Sequence, residues 1–206
     1  MPPAKAIATT ATHSAVPTPP AATPRYTTTA VWLHWTIALL LAANIGLALT
    51  ADYFPESSVR TVIDTHKSIG ITVLGLVLLR IVWRWRHAPP ALPGTYASWE
   101  KTASHAAHIT LYGLILALPI SGWMHDSAWK DAATHPMTLF GLVPWPRLGF
   151  LMHLPPAAKE IWHDRLLTLH AWLAYALYAL FALHVAGALK HQWLDGEKEL
   201  QRMWPR

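Results

Sequence analysis

Of the chain's 206 residues, 53% are apolar and only 13% charged, with a net charge of +5. A soluble domain carries about twice that share of charge, so lipid is the solvent these residues suit, and twelve tryptophans agree because Trp collects at membrane boundaries. Cysteine is absent, which excludes disulfides, Cys-ligated zinc, iron–sulfur clusters and haem attached through C-x-x-C-H; the basic residues are scattered rather than gathered on one stripe, which argues against nucleic acid.

Residues 1–25, "MPPAKAIATTATHSAVPTPPAATPR", are rich in Ala, Thr and Pro. They hold no continuous apolar core of the kind a secretory signal needs, and they read as a disordered cytoplasmic tail ahead of a transmembrane domain at 26–206. Four apolar segments follow at about 30–51, 62–83, 104–124 and 165–190. Each has roughly the twenty residues that carry an α-helix across the hydrocarbon core. In lipid the backbone must satisfy itself, so each is expected to be a helix. The fold class expected is all-α, an integral membrane four-helix bundle. With the N-terminus inside, ten Lys and Arg fall on the inner side and six on the outer. "RIVWRWRH" after the second span is the densest group, and positive-inside therefore puts both termini in the cytoplasm. The segment between spans three and four, about forty residues with "LFGLVPWPRLGFLMHLPP", is apolar enough to lie on the membrane surface or cap the bundle.

Ionisable residues inside membrane spans are costly and read as functional candidates. The fourth span carries His170 and His184, fourteen residues apart. At about 100° per residue they share a face, roughly 21 Å apart along the axis. His34, near the start of the first span, lies at the inner depth of His184. His66, near the start of the second, lies at the outer depth of His170. Depth alone therefore pairs His34 with His184 and His66 with His170. Two neutral imidazoles fill both axial positions of a haem iron, leaving a centre that carries electrons rather than binding oxygen. Gly70 and Gly187, each about one turn from a histidine, would let a porphyrin approach the backbone. Arg80 and Lys67 are candidate partners for haem propionates.

For any one of these histidines, a hydrogen bond to a neighbouring helix is the plainer reading; four at matched depths on three helices favour a shared cofactor. His105 and His108 could serve as rival inner ligands, quinone contacts or propionate partners, or merely pack at a helix end. His191 reads as a solvated interfacial histidine, or more sharply as a quinone-head contact or proton donor. The remaining histidines, His125 and His163 among them, are assigned to tails, ends and loops. A histidine-lined metal or proton transporter is the rival from another class, and its difficulty is that the histidines occupy two depths rather than a continuous path.

The patterns "LHW" at His34, "DTHKSIG" at His66, "SHAAHITLYGLILALPISGW", "TLHAWLAYALYALFALHVAGALKHQW" and the terminal "LQRMWP" resemble the bacterial cytochrome b561 family over about residues 25–206. The resemblance implies a four-helix protein of the bacterial inner membrane with two haem b groups, ligated at the positions of His34, His66, His170 and His184. It implies electron exchange with ubiquinone, and for some members oxidation of superoxide to oxygen. Related membrane cytochromes instead anchor a hydrogenase- or dehydrogenase-type partner subunit. Superoxide is an anion that a basic outer surface would attract, but acidic residues are interspersed with the outer basic ones, so a funnel would require the fold to segregate them.

Overall fold

The computed structural model describes residues 25–205; the expected disordered tail lies outside the described residues. Four long helices dominate: α1 (Thr28–Thr50), α2 (Glu56–Arg86), α3 (Ser98–Ser127) and α5 (Pro156–Trp193). All four are long and apolar enough to cross a membrane. A single 3-10 turn, Ala51–Tyr53, links α1 to α2. A two-stranded hairpin, β1 (Thr138–Leu139) and β2 (Val143–Pro144), and the short α4 (Gly149–Met152) lie between α3 and α5. α6 (Glu199–Arg202) follows α5.

The helices begin where their termini find partners. Thr27 caps α1 by accepting the Ala30 N–H at 3.3 Å. The Glu100 carboxylate reaches back to the Ala97 N–H at 3.0 Å, covering an orphan donor at the start of α3. Pro156 opens α5, where a missing N–H costs nothing. Helices α2, α3 and α5 outrun their apolar spans at both ends, whereas α1 stays within about two residues of its own. α5 starts nine residues before the expected boundary, because "PAAKEIWHD" is too polar to register as a span yet continues the same helix. At 1.5 Å per residue α5 is about 57 Å long, well beyond the roughly 30 Å of hydrocarbon. The expected forty-residue outer segment accordingly contracts to residues 128–155.

Helix α1 packs on α2, α2 on α3, and α3 on α5. Ile37, Ile69, Val73 and Val77 form one core between α1 and α2; Leu111, Leu118 and Leu177 form another between α3 and α5. Outward-facing residues such as Leu39, Leu79, Ile109 and Leu183 stay exposed, as a lipid-facing surface requires.

Both ends of the bundle are tied. At the α3-to-α5 end, the turn between β1 and β2 places Phe140 (φ 52°) and Gly141 (φ 71°) in the left-handed region, which a tight hairpin demands. The Phe140 N–H donates to Ser68 Oγ of α2 at 2.9 Å, pinning the turn to the bundle. Arg147 binds Asp126 of α3 at 2.8 Å and the carbonyl of Ala132 at 2.6 Å, and also donates to the carbonyl of His135. At the opposite end the C-terminal segment folds back over the start of α1. Arg202 binds the Ala91 carbonyl at 2.7 Å and Glu199 at 2.8 Å, and Trp35 donates to the Met203 carbonyl at 2.6 Å.

Candidate functional site

Helix α5 carries His163, His170, His184 and His191, each separated from the next by seven residues or a multiple of seven. Seven residues turn an α-helix by about two full turns, so these side chains fall along one face. The remaining heptad position is Leu177, buried in the α3–α5 core.

Two of these histidines meet partners across the bundle interior. The His184 and His34 rings have centroids 6.3 Å apart with planes at 70°. The His170 and His66 rings have centroids 6.2 Å apart with planes at 80°. Imidazole nitrogens bind metals at about 2 Å, so two rings bound through Nε2 on opposite sides of one ion place their centroids about 6.3 Å apart. Both pairs have that separation.

The His66–His170 pair is also oriented. His66 Nδ1 lies 3.2 Å from the Asn44 carbonyl and His170 Nδ1 lies 3.1 Å from the Leu118 carbonyl. Donation to a carbonyl puts the hydrogen on Nδ1 and leaves Nε2 free as a ligand, the usual supporting contact for a metal-binding imidazole. Ser121 Oγ lies 3.0 Å from His170 Nδ1 and itself donates to Leu118. Both histidines line a cavity of about 720 Å³ whose walls include Leu41, Ile45, Leu118 and Leu177. That volume, mostly apolar walls and paired Nε2 ligands fit a porphyrin-sized group. Asn44 Oδ1, on the same wall, is buried without a hydrogen-bond partner.

Glycine Gly122 presses on this pair. A Cβ there would lie 3.2 Å from His170 Cε1 and 3.4 Å from its Nδ1. The glycines singled out by sequence are less constrained: a Cβ at Gly70 would meet Asn44 at an ordinary 3.9 Å, and one at Gly187 would meet nothing within 4 Å.

The charged candidates are engaged. Lys67 bridges Asp126 at 2.7 Å and Asp64 at 3.2 Å; an ammonium has three N–H donors, so contact with a propionate need not displace either carboxylate. Arg60 pairs with Asp64 at 3.1 Å and lies over the Trp129 ring. With Arg147, three cations share two carboxylates in this ion-pair network. Arg80, within electrostatic reach of His34, His108 and His184, donates to Tyr112 Oη at 3.0 Å and to the Ala30 carbonyl at 2.7 Å.

His108 joins the His34–His184 pair, its ring 5.4 Å from that of His184. His105 does not: it is exposed, with Nδ1 turned back to the Lys101 carbonyl at 2.7 Å. His191 is more enclosed than a solvated interfacial residue would be. It stacks on Tyr96 at 4.1 Å and bonds Asp195 at 2.6 Å. Lys190 holds the Asp195 carboxyl below the usual carboxylate range, with His191 adding to the effect. Glu100 completes this cluster, its carboxylate joined to that of Asp195 through the Lys190 ammonium. Burial, reinforced by donation to Glu199, pushes the Tyr96 hydroxyl above its ordinary value.

Sequence reasoning missed the contacts that frame the cavity: Asn44, Ser121, Gly122, the Asp126–Arg147 pair, and the stacking of His125 on His163. Only His163 carried a signal, its heptad phase with His170.

Residues 25–206 match the family described as prokaryotic cytochrome b561. The chain belongs to that family. It is 30% identical over 182 residues to cytochrome b561 homolog 2 of Escherichia coli K12, covering 87% of this chain and 90% of that protein. Cytochrome b561 homolog 1 of the same organism is 26% identical over 184 residues, covering 88% and 98%. The probable superoxide oxidase CybB of Yersinia pestis is 26% identical over 186 residues, covering 88% and 97%. This cytochrome b561 family member is thus a multi-pass membrane electron-transfer protein, and b-type haem is the cofactor its family implies.

Proposed function

We propose that the chain holds two haem b groups, one between His34 and His184 and one between His66 and His170. Through them it passes electrons between a small donor, superoxide foremost, and ubiquinone. The observation that carries this reading is the 6.2–6.3 Å centroid separation in both imidazole pairs. A haem b held by these histidines would supply a one-electron iron couple.

The chain's own residues then have defined tasks. The Asn44 and Leu118 carbonyls fix the tautomers of His66 and His170, keeping Nε2 toward the metal position. Apolar walls exclude water. Arg80 and Lys67 stand where they could neutralise propionates. Any attraction for an anionic donor is local to the ion-pair network of Arg60, Lys67, Arg147, Asp64 and Asp126, which has one positive charge in excess, because this end of the bundle as a whole carries six cations and seven carboxylates. The name of the Yersinia relative supports superoxide as that donor. His191, stacked on Tyr96 at the opposite end, and His108 are the side chains we assign to quinone or propionate contact. His105, exposed, is left to solvent. By positive-inside charge, both termini lie in the cytoplasm, and family membership supports the bacterial inner membrane.

Purified, haem-loaded protein is expected to reduce a ubiquinone analogue when supplied with enzymatically generated superoxide, and the rate is expected to fall as salt is raised. Failure to do so, together with co-purification of a peripheral hydrogenase- or dehydrogenase-type subunit, would make the chain a haem-bearing anchor instead.

A further inference from the structure

His125 lies in the last turn of α3 and His163 in the second turn of α5. Their rings stack with centroids 3.9 Å apart and planes at 23°. The pairing is reciprocal: His125 Nδ1 is 3.0 Å from the His163 carbonyl, and His163 Nδ1 is 3.1 Å from the His125 carbonyl. A carbonyl only accepts, so both Nδ1 atoms carry hydrogen and both Nε2 atoms keep a lone pair. Both side chains line the cavity that also holds His66 and His170. His163 stands two turns from His170 on the same face of α5, about 10.5 Å along the axis. Electron transfer between the two histidine pairs makes no use of this stack.

We propose that the His125–His163 stack is a redox-linked proton site, taking one proton at Nε2 when the His66–His170 centre gains an electron and releasing it when the electron leaves. The inference rests on reading that centre as a haem site. A one-electron reductant delivers the electron and water delivers the proton; no bond between heavy atoms forms or breaks, and reoxidation returns both. One added negative charge at about 10 Å, at an effective dielectric constant of about 20, raises the proton affinity of the stack by about one pH unit. The stack takes one proton rather than two, because a second would press two cations face to face.

The neighbouring charges leave this coupling intact. On α3, Asp126 favours the proton, but its carboxylate is already held by Lys67 of α2 and by Arg147. Arg60 of α2 lines the same cavity and is paired with Asp64. On α5, Lys159 and Glu160 lie about one turn before His163, Asp164 follows it directly, and His170 follows two turns later.

The test is a potentiometric titration of the full, haem-loaded chain, followed in the haem α-band from about pH 5.5 to 8.5, the range in which imidazoles titrate. The component that disappears in His66→Ala should have a midpoint that falls as pH rises across a window of about one unit. The double variant His125→Gln/His163→Gln should flatten that dependence. The double variant His125→Phe/His163→Phe, which keeps two stacked rings but lacks both Nε2 atoms, should flatten it too and covers the case where glutamines disrupt the fold. A flat midpoint in the wild type, or an unchanged slope in the variants, overturns the proposal. A chain without haem b overturns both this proposal and the haem reading; two bis-histidine haems with a flat midpoint overturn the proton site alone.

Discussion

Gly122 and His170 show how little room a supporting residue has. The imidazole sits where any Cβ on Gly122 would crowd it at 3.2 Å. Replacing Gly122 with Ala is therefore expected to tilt His170 away from its Leu118 and Ser121 partners. The haem assigned to His66 and His170 should then lose occupancy or shift in potential, with the other unchanged. Gly113→Ala is the comparison, because a Cβ there meets nothing within 4 Å and Ala is the better helix former. Reduced-minus-oxidised spectra of both variants decide it; equal behaviour would remove Gly122 from the site. At this scale the sequence was legible where burial cost speaks, at His34, His66, His170 and His184, since an imidazole in a span demands a reason. It was silent on Gly122, Ser121 and Asn44, whose importance comes from neighbours on other helices. It placed His125 and His163 near helix ends, where they do lie, but gave no sign that the two rings stack.

Among the elements, α5 organises the protein. Its heptad of histidines sets one face toward α3, α2 and α1 in turn, through contacts to His125, His66 and His34. Hydropathy located its centre but not its ends, because the first turns are polar and helical at once, anchored by Pro156 rather than by lipid. The segment between α3 and α5 was legible as a cap but not in its construction. Its order depends on Arg147, whose side chain is 4% exposed and whose partner Asp126 is 6% exposed. Removing one member of so enclosed a pair leaves a charge with fewer partners, a loss of about 3 kcal/mol. Arg147→Gln is expected to lower the thermal unfolding midpoint in detergent accordingly. It should also open residues 128–155 to protease before the helices. Unaltered stability would show that Lys67 alone suffices for Asp126.

For the molecule as a whole, fold class followed from composition and four apolar spans, and the cross-bundle pairs followed from reading depth along antiparallel helices. Orientation rests on the distribution of Lys and Arg. The absence of native cysteine makes it directly testable, since single cysteines can be introduced without background. His87→Cys, just past α2, and Leu142→Cys, in the hairpin turn and exposed, lie at opposite ends of the bundle. A membrane-impermeant maleimide added to intact cells is expected to label the second and spare the first, and the reverse pattern would invert the proposed topology.

The central claim is that α5 serves two separate haem sites, each completed by a histidine from another helix. It is tested most directly by counting haem b per purified chain in the wild type, in His170→Ala and in His184→Ala. Two haems in the wild type, and one in each variant with different residual spectra, is the predicted result. One haem in the wild type, or simultaneous loss of all haem from each stably folded variant, would contradict it.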